Sequence, residues 1–144
     1  MRFLLDTNVI LEWAKQQPDA GVAAFLAAQD EDSVFVSVVT LAELRRGVQR
    51  LPAGRRQSRL DAWLRDELPA RFADRVLGID AAIADAWGRV IARRERAGRP
   101  MGAMDGWIAA IVTVHELELV TRNELDFAGV VDRITNPWME RGSP

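Results

Sequence analysis

Short apolar runs, each closed by a polar turn and followed by residues at helical spacing, constrain this chain more than any other feature. Phe3-Leu4-Leu5 ends at Asp6-Thr7-Asn8, and Val9, Ile10, Trp13 and Ala14 then repeat with a helical period. Val34-Phe35-Val36-Ser37 is β-rich and short. Ser37 or Thr40 could cap the next helix, whose apolar stripe is Leu41, Leu44, Val48 and Leu51. Further strands are expected at Arg75–Ile79, Leu117–Val120 and Val131–Ile134. Helices are expected from Pro18-Asp19, over 55–68 with Pro69 ending it, from Asp80 through Val90 and Ile91, and over 104–116. Strands alternating with helices predict a parallel sheet covered on both faces, an α/β sandwich. The 144 residues suit one domain, 1–144, without repeats or linkers, and the tail over 139–144 is expected to be mobile.

Composition removes several chemistries. With no Cys, thiol catalysis, disulfides and cysteine zinc sites are excluded. A lone His115 excludes multi-histidine metal sites, and a lone Lys15 without a Gly-rich loop excludes a P-loop. Carboxylates are plentiful, with 12 Asp and 9 Glu, so any catalysis is expected to run on them. No apolar run approaches the ~20 residues of a membrane span. Asp6 follows only three apolar residues, too soon for a signal peptide, so a cytoplasmic protein is expected.

Some of those acids stand in costly places. Asp6 lies at the carboxyl end of the first strand, the edge where open parallel sheets bind ligands. It could equally cap the following helix. Asp105 shares a helix row with Ile108, Ala109 and Val112, where an ionised carboxylate needs a partner or a cation. Glu43 sits one turn into the helix after the second strand, and read alone it could be a solvated helix acid. Thr121-Arg122-Asn123 follows a strand as Asp6-Thr7-Asn8 does, with Asp126 three residues later. Asn123 could supply a neutral oxygen and Asp126 a charged one, or they could be an Asx turn and a loop acid. In a parallel sheet these positions share one edge. Crowded carboxylates raise one another's pKa, and a hard divalent cation relieves the repulsion. Oxygen ligands without His or Cys point to Mg²⁺ or Mn²⁺.

Four segments carry a resemblance, in order and across essentially the whole chain. They are Leu4-Leu5-Asp6-Thr7-Asn8-Val9-Ile10, Ser37-Val38-Val39-Thr40-Leu41-Ala42-Glu43-Leu44-Arg45-Arg46-Gly47, Met104-Asp105-Gly106-Trp107-Ile108-Ala109-Ala110 and Val120-Thr121-Arg122-Asn123-Glu124-Leu125-Asp126-Phe127. Together they resemble the PIN-domain family, and within it the VapC/FitB-type toxins of toxin–antitoxin pairs. The resemblance implies a three-layer α/β/α sandwich with a mainly parallel sheet, and a Mg²⁺- or Mn²⁺-dependent ribonuclease. It implies Asp6, Glu43 and Asp105 as metal-site acids. Asn123 takes the family's fourth acidic position, which weakens a second metal site, and Asp126 joins Asp6, Glu43 and Asp105 among the catalytic acids, as a supporting or outer-shell ligand. Thr7, Asn8 and Thr121 flank these acids as supporting residues. The resemblance further implies a homodimer, or a larger assembly with a VapB/FitA-like antitoxin that carries operator-DNA binding. The competing reading is a FitB-like subunit whose main role is transcriptional repression with its antitoxin.

The charge is segregated. Six Arg and no acid lie between Leu44 and Leu60, and five Arg against one Glu lie over 89–99, so these stretches carry +6 and +4 while the rest carries −12. The excess of Arg over Lys has two readings, codon bias in a GC-rich genome and placement for phosphate recognition. Arg45, Arg46 and Arg50 follow Glu43 and are the candidates for RNA or antitoxin contact. Trp13, Trp63, Trp87 and Trp107 fall on or beside apolar stripes and are expected in the core or a dimer contact, and His115 is expected to be structural.

Overall fold

The computed structural model describes residues 1–138, and the tail expectation over 139–144 lies outside them. Five strands form one sheet in the order β3-β2-β1-β4-β5, with β1 Phe3–Leu5, β2 Val34–Ser37, β3 Val76–Leu77, β4 Glu118–Val120 and β5 Ile134–Thr135. Every pairing among them is parallel. Helices α1 Thr7–Trp13, α2 Ala20–Ala28, α3 Val38–Arg50, α4 Arg55–Ala62, α5 Leu68–Phe72, α6 Ala81–Arg96, α7 Ala103–His115 and α8 Glu124–Phe127 connect and cover the strands.

The strands are mostly apolar because both faces of the sheet are covered, with Ser37, Glu118 and Thr135 at strand ends. Alternate side chains go to opposite layers. Phe3 and Leu5 join Val34, Val36 and Val120 in a cluster with α1, α2, α3 and the 64–72 segment. Leu4 and Leu119 join Ile83 of α6 and Ile108, Ile111 and Val112 of α7 in the other cluster. This is the three-layer α/β/α sandwich expected from the strand and helix alternation. Each fully buried Leu, Ile or Phe contributes roughly 1.5–3 kcal/mol by leaving water. All four tryptophans singled out by their spacing pack at the edges of these clusters, and Trp87 stacks on Trp107 with ring centroids 4.9 Å apart.

Polar residues at the strand ends start the helices. Asp6 accepts the Thr7 N–H, Ser37 the Thr40 N–H, and Asp80 the Ile83 N–H. Each satisfies a backbone donor that a helix start leaves without an intrahelical partner. Gly106 sets how closely α7 approaches α6. A Cβ there would meet Ile91 Cδ1 at 2.8 Å and Trp87 Nε1 at 2.9 Å.

Two expectations are corrected. Pro69 does not end its helix, since the chain continues as α5 to Phe72. A π-helical turn at Trp63–Glu67 precedes it, with the Leu68 N–H reaching the Trp63 carbonyl. That wider turn receives a ring that would strike the carbonyl four residues back in a regular α-helix. The last strand is Ile134–Thr135, not 131–134, because Leu119 and Val120 pair with Ile134 and Thr135. Val131 is instead buried in the second cluster.

Candidate active site

Parallel strands deliver their carboxyl ends to one edge, and the site assembles there. Asp6 follows β1 and is only 6% exposed. Its Oδ1 accepts the Thr7 N–H at 2.8 Å and its Oδ2 accepts the Thr121 hydroxyl at 2.8 Å. Capping and site placement are therefore compatible, since each carboxylate oxygen keeps a further lone pair. Burial pushes the Asp6 carboxyl above its usual range. The bonds from Thr121 and Thr7 oppose that rise, and the charges of Glu43 and Asp126 add to it.

Glu43 comes from the second turn of α3. Its Oε1 accepts the Thr7 hydroxyl at 2.7 Å, and Thr7 Oγ1 stands 3.1 Å from Thr40 Oγ1. Thr40 is fully buried, so α1 and α3 fix the Glu43 carboxylate through two hydroxyls. By sequence Thr40 is only a capping candidate. Its place three residues before Glu43, on the same helix face, was the available signal.

Asp105 lies half-buried in the first turn of α7. Burial is the main cause that pushes its pKa to about 6, and the charges of Asp6, Asp126 and Glu43 follow in that order. Asp126 sits on α8 and is exposed, yet its charge is felt at both Asp6 and Asp105. The short helix brings Asp126 toward the cluster, a placement that a simple loop acid would not require. Asn123 is exposed, and its backbone N–H donates to Thr121 Oγ1 at 3.0 Å. Asn8 reaches the same oxygen through Nδ2 at 3.4 Å and accepts the Arg122 N–H at 3.3 Å, both long. Thr121 is thus a buried node that ties Asn8 and Asn123 to Asp6.

The arginine candidates separate. Arg45 is bound to Asp61 at 2.6 Å and to Gln49 at 3.2 Å. Arg46 and Arg50 are exposed and make no ion pair among the described residues.

Among the described residues, no three acidic or histidine side chains stand close enough, as placed, to hold a metal ion by themselves. Mg²⁺ does not require such a cage, because it keeps several waters and takes one or two carboxylates. Asp6 and Asp105, whose ionisation is disfavoured by burial and by the neighbouring acids, form with Glu43 and Asp126 an oxygen-only donor set, without His or Cys, that suits a hard cation.

The fold and the sequence match those of known proteins. The chain belongs to the PIN-domain family, whose pattern it matches over residues 3–131. It is similar to the VapC ribonuclease Y4jK of Sinorhizobium fredii, with 36% identity over 135 residues that cover 94% of this chain and 96% of that protein. It is similar to Toxin FitB of Neisseria gonorrhoeae, with 35% identity over 135 residues, 94% of this chain and 97% of that one. Among solved structures it resembles FitAB bound to an IR36 DNA fragment, with a TM-score of 0.87 and 32% identity, covering 94% of this chain and 95% of that one.

Proposed function

We propose that this chain is the toxin of a VapBC-type toxin–antitoxin pair, a ribonuclease that hydrolyses RNA phosphodiesters with Mg²⁺ or Mn²⁺. One observation carries the reading. Asp6, Glu43 and Asp126 lie near enough to Asp105, at the carboxyl edge of the sheet, for their charges to act on it, in a chain similar along nearly its whole length to a VapC ribonuclease.

Asp6 and Asp105 would hold the cation, with Glu43 close by. When bound, it would supply positive charge against the phosphoryl oxygens and acidify water beside them. The remaining work falls to the chain. The Thr7 N–H and the Thr121 hydroxyl fix both Asp6 oxygens, so the carboxylate keeps one orientation. The Thr7 hydroxyl fixes Glu43 Oε1 in the same way. Such fixed ligands need little reorganisation when charge builds on the substrate. Asp126, exposed at the rim, would orient incoming water through its carboxylate oxygens. No side chain serves as nucleophile, so water attacks phosphorus and the products carry 5′-phosphate and 3′-hydroxyl ends.

The partners follow from the relatives. A VapB/FitA-like antitoxin would cover the toxin, the toxin would form a homodimer, and operator DNA would be bound through the antitoxin. Among the described residues no helix is long and apolar enough to cross a membrane. The likeness to FitAB on DNA favours one further reading, in which repression with the antitoxin is the main role.

The test is cleavage of total cellular RNA by antitoxin-free protein. Wild type should cleave with Mg²⁺ or Mn²⁺ and stop in a chelator, while Asp6→Asn and Asp105→Asn should be inactive. A wild-type protein that cleaves no RNA and is harmless on expression would leave the repressor reading in its place.

A further inference from the structure

Beside the acids runs a groove of about 390 Å³ between α1, α4 and the loop after β4. Lys15, Arg56, Arg59 and Arg122 line it against one acid, Glu12. That acid is already engaged, accepting from Lys15 Nζ at 2.8 Å and from the Asp19 N–H at 2.8 Å. Five arginines elsewhere in the molecule are paired. Arg45 and Arg65 sit on Asp61, Arg71 and Arg75 on Glu31, and Arg89 on Asp85. Arg56 and Arg59 make no ion pair among the described residues, so their charge faces the groove uncompensated.

The groove is continuous with the acidic edge. Asn8 lines it and contacts Thr121 Oγ1, whose hydroxyl donates to Asp6. Helix α1 spans both places, with its first turn capped by Asp6 and with Leu11 farther along it lining the groove. Its apolar lining is Leu11, Leu60 and Trp138, and the Arg122 guanidinium lies 5.1 Å over the Trp138 ring. Arginines beside apolar and aromatic surface suit single-stranded nucleic acid, whose phosphates pair with Arg while its bases stack on ring or guanidinium faces.

We propose that this groove, through Arg56, Arg59 and Arg122, holds the phosphate backbone of the RNA strand next to the scissile bond. The proposal rests on the ribonuclease reading above. It moves the principal RNA contact away from Arg45, Arg46 and Arg50, of which Arg45 is already held by Asp61.

The test is the binding of a fluorescent single-stranded RNA 12-mer, followed by anisotropy in chelator over a salt series. Arg56→Gln/Arg59→Gln is compared with Arg46→Gln/Arg50→Gln and wild type, each with its melting temperature measured to verify folding. Loss of two phosphate contacts should flatten the slope of log K against log salt by about 1.4. At 0.1 M salt the same exponent gives binding about 25-fold weaker. The Arg46/Arg50 pair should change affinity by less than about threefold, as expected for charges that contact no phosphate directly. A groove variant that binds like wild type with an unchanged slope, or two pairs that lose equally, would overturn the proposal alone. A wild-type protein that binds no RNA would overturn the ribonuclease reading together with the groove.

Discussion

Replacing Asp105 by Asn should make the metal-free protein more stable. The Asp105 carboxyl titrates at about 6 in the folded protein against 3.8 for an unperturbed Asp. A raised folded pKa means that the folded state holds the proton more tightly than the unfolded chain does. The stability from this group is therefore present below about pH 3.8 and is lost as pH rises through about 6. At pH 7.5 the ionised group works against folding. Two pKa units correspond to about 3 kcal/mol. Asp105 is only partly buried, so solvent screening reduces that to about 1–1.5 kcal/mol. Asn keeps the shape and cannot ionise. A gain of that size corresponds to roughly 3–6 °C in a chain of this length. Thermal melts of wild type and Asp105→Asn in chelator, from pH 4 to pH 8, read the effect directly. The gain should be full at pH 7.5 and fall away between pH 6 and pH 4. Added Mg²⁺ should raise the melting temperature of wild type more than that of the variant. A variant no more stable than wild type at pH 7.5, or a gain independent of pH, would refute the electrostatic coupling of the acids.

Three further outcomes follow from the geometry. Asp6→Ala removes the α1 cap and strands the buried Thr121 hydroxyl, so it should cost about 1–3 kcal/mol in denaturant melts, whereas Asp6→Asn should lose cleavage with a smaller stability loss. Thr7→Val frees Glu43 Oε1, and should lower kcat by about tenfold in steady-state cleavage while changing the melting temperature little, since its bond is part-buried. Gly106→Ala places a methyl within 3 Å of Ile91 and Trp87, and should destabilise the protein by about 1–3 kcal/mol in chemical denaturation.

The layers of the fold were readable because strand and helix patterns differ in period and because Asp6, Ser37 and Asp80 have side chains that suit helix starts. The acids were readable because a carboxylate after a buried strand, or on an apolar helix row, is expensive without a purpose. What stayed hidden depended on three-dimensional neighbours. The π-turn before Pro69 is one of two local answers to a proline, a widened turn or a helix end, and the sequence does not say which is taken. The register of β5 was set by Leu119 and Val120 across the sheet, while Val131 satisfied its apolar character in a core cluster instead. The pairing of Arg45 with Asp61 joins α3 to α4 across 16 positions, so a run of arginines gave no sign of which would be free. Arg122 was noted only as part of a turn motif, and its alignment over Trp138 is a contact between distant parts of the chain.

The central claim, hydrolysis by water at an acidic metal-binding edge, is tested most directly by the ends of the RNA fragments. Purified antitoxin-free toxin with Mg²⁺ should release fragments whose 5′ ends carry phosphate and whose 3′ ends carry free hydroxyl, as seen by 5′-phosphate-dependent exonuclease digestion and mass spectrometry. Fragments ending in a 2′,3′-cyclic phosphate would contradict it, because the ribose 2′-hydroxyl would then be the attacking group.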